Sequence, residues 1–189
     1  MQKFSKKQFF VIVLLVSLLY SSVAFAAATS LNVLNVKQKQ SNWCWAACCE
    51  SIYKSTLKVN TISQTSVVSV VKGSSLPNDS GSCPDVQKAF TEFGYSCSIN
   101  YNSLNFEQVK EKINSGTPIM ALLMSQNGSE GHWVIIDAYE TRTDASYIWY
   151  MDPNTGNKYM IKFTDFKNGF NYYYNNKWYS WMYTVTDFS

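Results

Sequence analysis

The sequence predicts an α+β domain with a helical N-terminal half and an antiparallel β-sheet in its C-terminal half. Two observations carry this. Between residues 43 and 116 the apolar residues recur at helical spacing, framed by capping and stop signals. From Pro118 onward the period changes to that of strands rich in β-branched and aromatic residues. Helices gathered ahead of strands, instead of alternating with them, give an α+β layout. Residues 27–189 are enough for one domain around one core.

The elements follow in order. Ser41 or Asn42 is placed to cap a helix from about Trp43 to Leu57, supported by alanines, apolar residues and Glu50. Asn60 or Thr61 is placed to cap a second, ISQTSVVSVVKG, ending near Gly73. SSLPNDSGSC reads as loop. Pro84 and Gly94 bracket a third helix, PDVQKAFTEFG. YSCSINY alternates like a strand, and Asn105 or Ser103 opens a fourth helix that Gly116 stops. PIMALLM, HWVIIDAY, SYIWYMD, NKYMIKF and NKWYSWMYTV then read as strands, with TDFKNGF as a short helical interruption. The aromatic and asparagine run NGFNYYYNNKWYSWMY reads as sheet, with a wall- or sugar-facing surface as the alternative.

Residues 1–26 stand apart from this domain. Lys3, Lys6 and Lys7 precede an almost wholly apolar run, Phe9 to Tyr20, and Ala24 and Ala26 form a small-x-small cleavage site. That is the pattern of a secretory signal peptide cleaved near Ala26. The run is shorter than the roughly 20 residues a spanning helix needs. The expected product is a secreted, extracellular protein with no stable membrane anchor. The segment holds three of the 16 Lys and Arg and none of the 13 Asp and Glu, so residues 27–189 carry 13 of each sign. No basic footprint for nucleic acid remains.

Export permits disulfides, and the five cysteines are Cys44, Cys48, Cys49, Cys83 and Cys97. One histidine and no C-x-x-C argue against zinc or any other metal cofactor. Chemistry therefore falls to a thiol. Cys44 lies in the first turn of its helix, where unpaired amides favour the thiolate, while Cys48 and Cys49 lie deeper. The base must be His132, at a strand start in SEGHWVIIDAY. Setting residue 132 opposite 152 leaves a five-residue hairpin loop, 140–144, and puts Asp152 beside the imidazole to hold its tautomer. Asp137 is the rival acid, but five residues along a strand it points to the other face. A side-chain amide before the nucleophile is placed to share the oxyanion with the Cys44 N–H. Gln38 and Gln40 are both available, and spacing does not separate them.

Gln38, the block Ser41-Asn42-Trp43-Cys44-Trp45-Ala46-Ala47, Gly131-His132-Trp133-Val134 and Asp152-Pro153 together resemble the papain-like cysteine peptidases. The resemblance is nearest the small bacterial branch holding the effector-type C70 peptidases and the C39-like proteins. It runs from about Val33 to the last strands. It implies a papain-like fold with Cys44 as nucleophile, His132 as base and acid, Asp152 as orienting residue and Gln38 in the oxyanion hole. Papain itself has a Cys-Gly-Ser-Cys-Trp block and an asparagine third member, and bacteriocin-processing C39 peptidases continue into a transporter. The implied activity is peptide-bond hydrolysis on a protein or peptide substrate. An acyl transferase or amidase with the same triad, or a non-catalytic cell-wall or glycan binder on the fold, are the alternatives. Only a short stretch separates Ala26 from Gln38, so no inhibitory propeptide is expected, and the enzyme should be active once folded or be held by a separate protein inhibitor.

The other four cysteines pair most simply as 48–83 with 49–97, or 48–97 with 49–83. Each bridge would contribute about 2–4 kcal/mol. The alternative keeps Cys48 or Cys49 as a buried thiol beside a single bridge.

Overall fold

The computed structural model describes residues 27–189; the expected signal segment lies outside them. Among the described residues there are five helices and one eight-stranded sheet. The order is β1 (Ala27–Ser30), α1 (Cys44–Ser55), α2 (Gln64–Lys72), α3 (Cys83–Thr91), β2 (Ser98–Asn100), α4 (Phe106–Asn114), β3 (Ile119–Ser125) and β4 (Gly131–Thr141). It continues through β5 (Ser146–Asp152), β6 (Asn157–Lys162), α5 (Phe163–Asn168), β7 (Phe170–Tyr172) and β8 (Lys177–Thr186). The α+β expectation holds, with every strand pair antiparallel.

The main strand path is β2-β8-β3-β4-β5-β6, with β1 on β4 and β7 on β8. Side chains alternate along β4. Trp133 and Ile135 join a core with α1, α2 and α3, while Val134 and Ile136 join a second core with α4 and α5. The aromatic run is mostly packing: Tyr172, Tyr179 and Trp181 are buried in that second core, leaving Tyr173, Tyr174 and Trp178 exposed.

Several boundaries differ from expectation for identifiable reasons. The cap of α2 is Ser63, whose side chain accepts from the Ser66 N–H, and not Asn60 or Thr61. Ser82 caps α3 in a reciprocal box with Asp85, so that helix opens at Cys83, one residue before Pro84. Strand β1 falls in what reads as a polar lead; its four residues carry too little apolar pattern to announce pairing. The β4–β5 register is also displaced. The expected register sets Ile135 opposite Trp149, whereas its partner is Met151, and a bulge at Asp137 adds a further one-residue offset. The hairpin loop is consequently the four residues 142–145. A two-residue displacement preserves the face, so His132 and Asp152 still meet.

Candidate active site

Helix α1 begins at Cys44 itself. Its cap position is Trp43, which supplies no side-chain hydrogen bond. Ser41 and Asn42, the expected caps, are occupied instead. Asn42 bonds Asn78 through both its amides, and the Asn78 amide donates to Ser41 Oγ. The first helical bond is Ala47 N–H to Trp43 O, 2.9 Å. The Cys44 N–H therefore has no partner among the described hydrogen bonds, and it sits where the helix end concentrates positive potential.

The tryptophans around Cys44 anchor the loop that walls a cleft. Trp43 donates to Pro77 O at 3.0 Å, Trp45 to Asp79 O at 3.1 Å, and Trp133 to Gly81 O at 2.7 Å. Three indoles thus fix one loop, which the sequence marks only as loop. With Leu122, Met124 and Gly131 it closes a cleft of about 260 Å³ lined by Cys44. A larger hollow of about 630 Å³, lined by Leu31, Asp137, Trp149 and Lys158, holds no cysteine or histidine. Chemistry therefore assigns the site to the smaller cleft. Gly81 has no room for a side chain: a Cβ there would lie 2.3 Å from the fully buried Trp45 ring. Gly81→Ala is expected to lower stability by about 1–3 kcal/mol, read by urea unfolding, because the ring has nowhere to move.

His132 and Asp152 face each other at the ends of β4 and β5. Imidazole Nε2 is 2.8 Å from Asp152 Oδ1. The Cys44 thiol lies near the same imidazole, close enough to act on its charge. With Nε2 held by Asp152, Nδ1 is the nitrogen left to the sulfur. Asp137, the rival, faces away and pairs with Lys158. Burial alone would depress the His132 pKa, but the Asp152 bond and the Cys44 contact outweigh it and raise it to about 10. Burial would raise the Asp152 pKa, yet bonds from His132, Tyr172 and the Asn154 N–H hold it below its ordinary value. The pair is therefore an imidazolium and a carboxylate at neutral pH.

Two tyrosines belong to this site and were not singled out by the sequence. Tyr172 donates to Asp152 Oδ2 at 2.6 Å and lies 3.1 Å from His132 Nε2. Tyr173 donates to the same Oδ2 at 2.9 Å. They sit inside an aromatic run that mixes core and exposed rings, so nothing local distinguishes them.

The backbone N–H of Gln38 donates to Pro153 O at 2.8 Å, which brings that residue to the site. Its side-chain amide donates to Gln40 O at 3.0 Å and Ser41 O at 2.7 Å, while its Oε1 is buried without a partner. Turning the amide over would set Oε1 against two carbonyl oxygens, so this orientation is the sound one. Gln40 is exposed.

The four remaining cysteines are free thiols, as is Cys44, so neither expected two-bridge pattern is formed. Their placement explains it. Cys97 lies near both Cys49 and Cys83, whereas Cys48, beside Cys49, also lies near Cys44 and Asp152. Adjacent helix residues point about 100° apart, so Cys48 and Cys49 cannot both reach the α3 side. Burial pushes all four thiols up, Cys97 to about 11.

The Peptidase_C39 like family model matches residues 30–179. The chain belongs to that family. It is a cysteine-type peptidase of the C39-like, papain-like branch. The peptidase domain of Streptococcus ComA, a bi-functional ABC transporter involved in a quorum sensing pathway, aligns with a TM-score of 0.55 at 12% identity. That alignment covers 81% of this chain and 95% of that one. A double glycine motif protease from an AMS/PCAT transporter, in complex with the leader peptide, gives 0.54 at 15% identity over 82% of this chain and 94% of that one. At such identities the likeness is one of fold. No curated protein matches the sequence.

Proposed function

We propose that this peptidase hydrolyses peptide bonds in an extracellular protein or peptide substrate through a Cys44–His132–Asp152 triad. The observation that carries the reading is the meeting, at an uncapped helix start, of a thiol, an imidazole near it and a carboxylate bonded to that imidazole. The double glycine motif protease, of similar fold, is in complex with the leader peptide, which supports a peptide as the substrate class.

In the first step the Cys44 thiolate attacks the peptide carbonyl and forms the S–C bond. The oxyanion is received by the free Cys44 N–H. Gln38 joins by exchanging one loop carbonyl for the oxyanion. The C–N bond then breaks, His132 Nδ1 gives its proton to the leaving amine, and a thioester remains. Water attacks the thioester, giving its proton back to Nδ1, and cleavage of the C–S bond returns the thiolate. An acceptor amine in place of water would turn the same intermediate to acyl transfer. Export rests on the reading of residues 1–26.

The test is a peptide library digested by the chain from residue 27, with Cys44→Ala as the control. New termini in the first digest and none in the second support hydrolysis. Products joined to added amines in preference to water would move the reading to acyl transfer.

A further inference from the structure

Asp152 is fully buried, and each of its oxygens needs partners. Oδ1 receives His132 Nε2–H and the Asn154 N–H at 2.9 Å. Oδ2 receives only two phenols, those of Tyr172 and Tyr173. Two successive residues on a strand point to opposite faces, so they do not ordinarily reach one atom. Here β7 ends at Tyr172 and Tyr173 already lies in the turn that the Asn176 N–H to Tyr172 O bond closes, so the alternation is broken and both rings converge. The Tyr172 hydroxyl is saturated. It gives its one proton to Asp152 and accepts at 3.1 Å from His132 Nε2 and at 3.3 Å from Asn154 Nδ2.

We propose that Tyr172 and Tyr173 are positioning residues of this peptidase: their two hydroxyls hold the buried Asp152 carboxylate ionised, with Oδ1 turned to His132. The inference rests on the triad reading but concerns a different atom, the Oδ2 that faces away from the imidazole. A carboxylate stripped of donors in a dry site takes up a proton more readily. Protonated Asp152 would no longer sustain the imidazolium beside Cys44. The groups facing this pair are Cys44 and Cys48 from α1, Tyr150 from β5, Tyr159 from β6 and the two tyrosines themselves. Only the tyrosines at 172 and 173 bond Oδ2.

The experiment uses the chain's one histidine as its probe. In a Cys44→Ala background, which needs no peptidase activity, the ¹⁵N signals of His132 are followed from pH 2 upward. Protonation of Asp152 appears there as an acid inflection. Tyr172→Phe and Tyr173→Phe are each expected to move that inflection upward by about one pH unit. In otherwise wild-type protein each should move the acid limb of kcat/KM the same way. Tyr173 is half exposed, so its variant keeps the test open where Tyr172→Phe does not fold. An inflection that stays in place in a folded variant, whatever happens to thermal stability, overturns the proposal. Loss of activity in the parent with a moved inflection would instead sink the triad reading and leave this one standing.

Discussion

Cys44→Ala is expected to abolish peptide hydrolysis, lowering kcat by on the order of 10⁶-fold when measured on any substrate the library identifies. The reasoning is covalent: without the sulfur there is no thioester, and the other four thiols do not substitute. Burial raises all four pKa values. Only Cys48 lies near the pair, and it is a full helical turn deeper. The fold should survive, since Cys44 is one small side chain at the edge of a core whose large members are Trp45, Trp133, Tyr53 and Phe90. The His132 pKa should fall in this variant, because the thiol is one of the groups that raise it. A ¹⁵N titration reads that fall independently of activity.

Asp152→Asn is the second large effect. It keeps the shape and removes the charge. Burial then acts on His132 without its counter-ion, and the imidazole pKa drops from about 10 toward or below its ordinary 6.5. At pH 8 the ring is neutral, so the proton it should give to the leaving amine is missing. A loss of about 10²–10⁴-fold in kcat is expected, with KM little changed. The linkage to stability has a definite sign. A histidine whose pKa is raised on folding contributes stability that is fully present below pH 6.5 and is lost as pH rises through about 10. Asp152, held low, contributes stability that is present above its ordinary pKa and is lost as pH falls through its lowered one. Asp152→Asn should therefore flatten both limbs of the stability–pH curve, as urea midpoints from pH 3 to 11 would record.

Much of this site was legible before the fold was known, and the limits have physical causes. Cys44, His132 and Asp152 are readable because the chemistry of a thiol peptidase restricts residue types, and this chain has one histidine to offer. The layout was readable because the period changes at Pro118. The register was not, because the bulge at Asp137 carries no glycine or proline to mark it. The cap was misplaced because Ser41 and Asn42 have a rival partner, Asn78, more than 30 residues away. Long-range hydrogen bonds of that kind leave no trace in local spacing. The same is true of Tyr172, which meets Asp152 across 20 residues and His132 across 40. The disulfide expectation treated Cys48 and Cys49 as equivalent neighbours, whereas the helix sets one near Cys44 and Asp152 and the other near Cys97.

The most direct test is to map the cysteine that reacts with an epoxide inhibitor of cysteine peptidases. A short pulse at pH 7 followed by peptide mass spectrometry should place the label on Cys44 ahead of Cys48, Cys49, Cys83 and Cys97, and His132→Ala should slow it. Label arriving first on another cysteine, or on Cys44 at an unchanged rate without His132, would contradict the account.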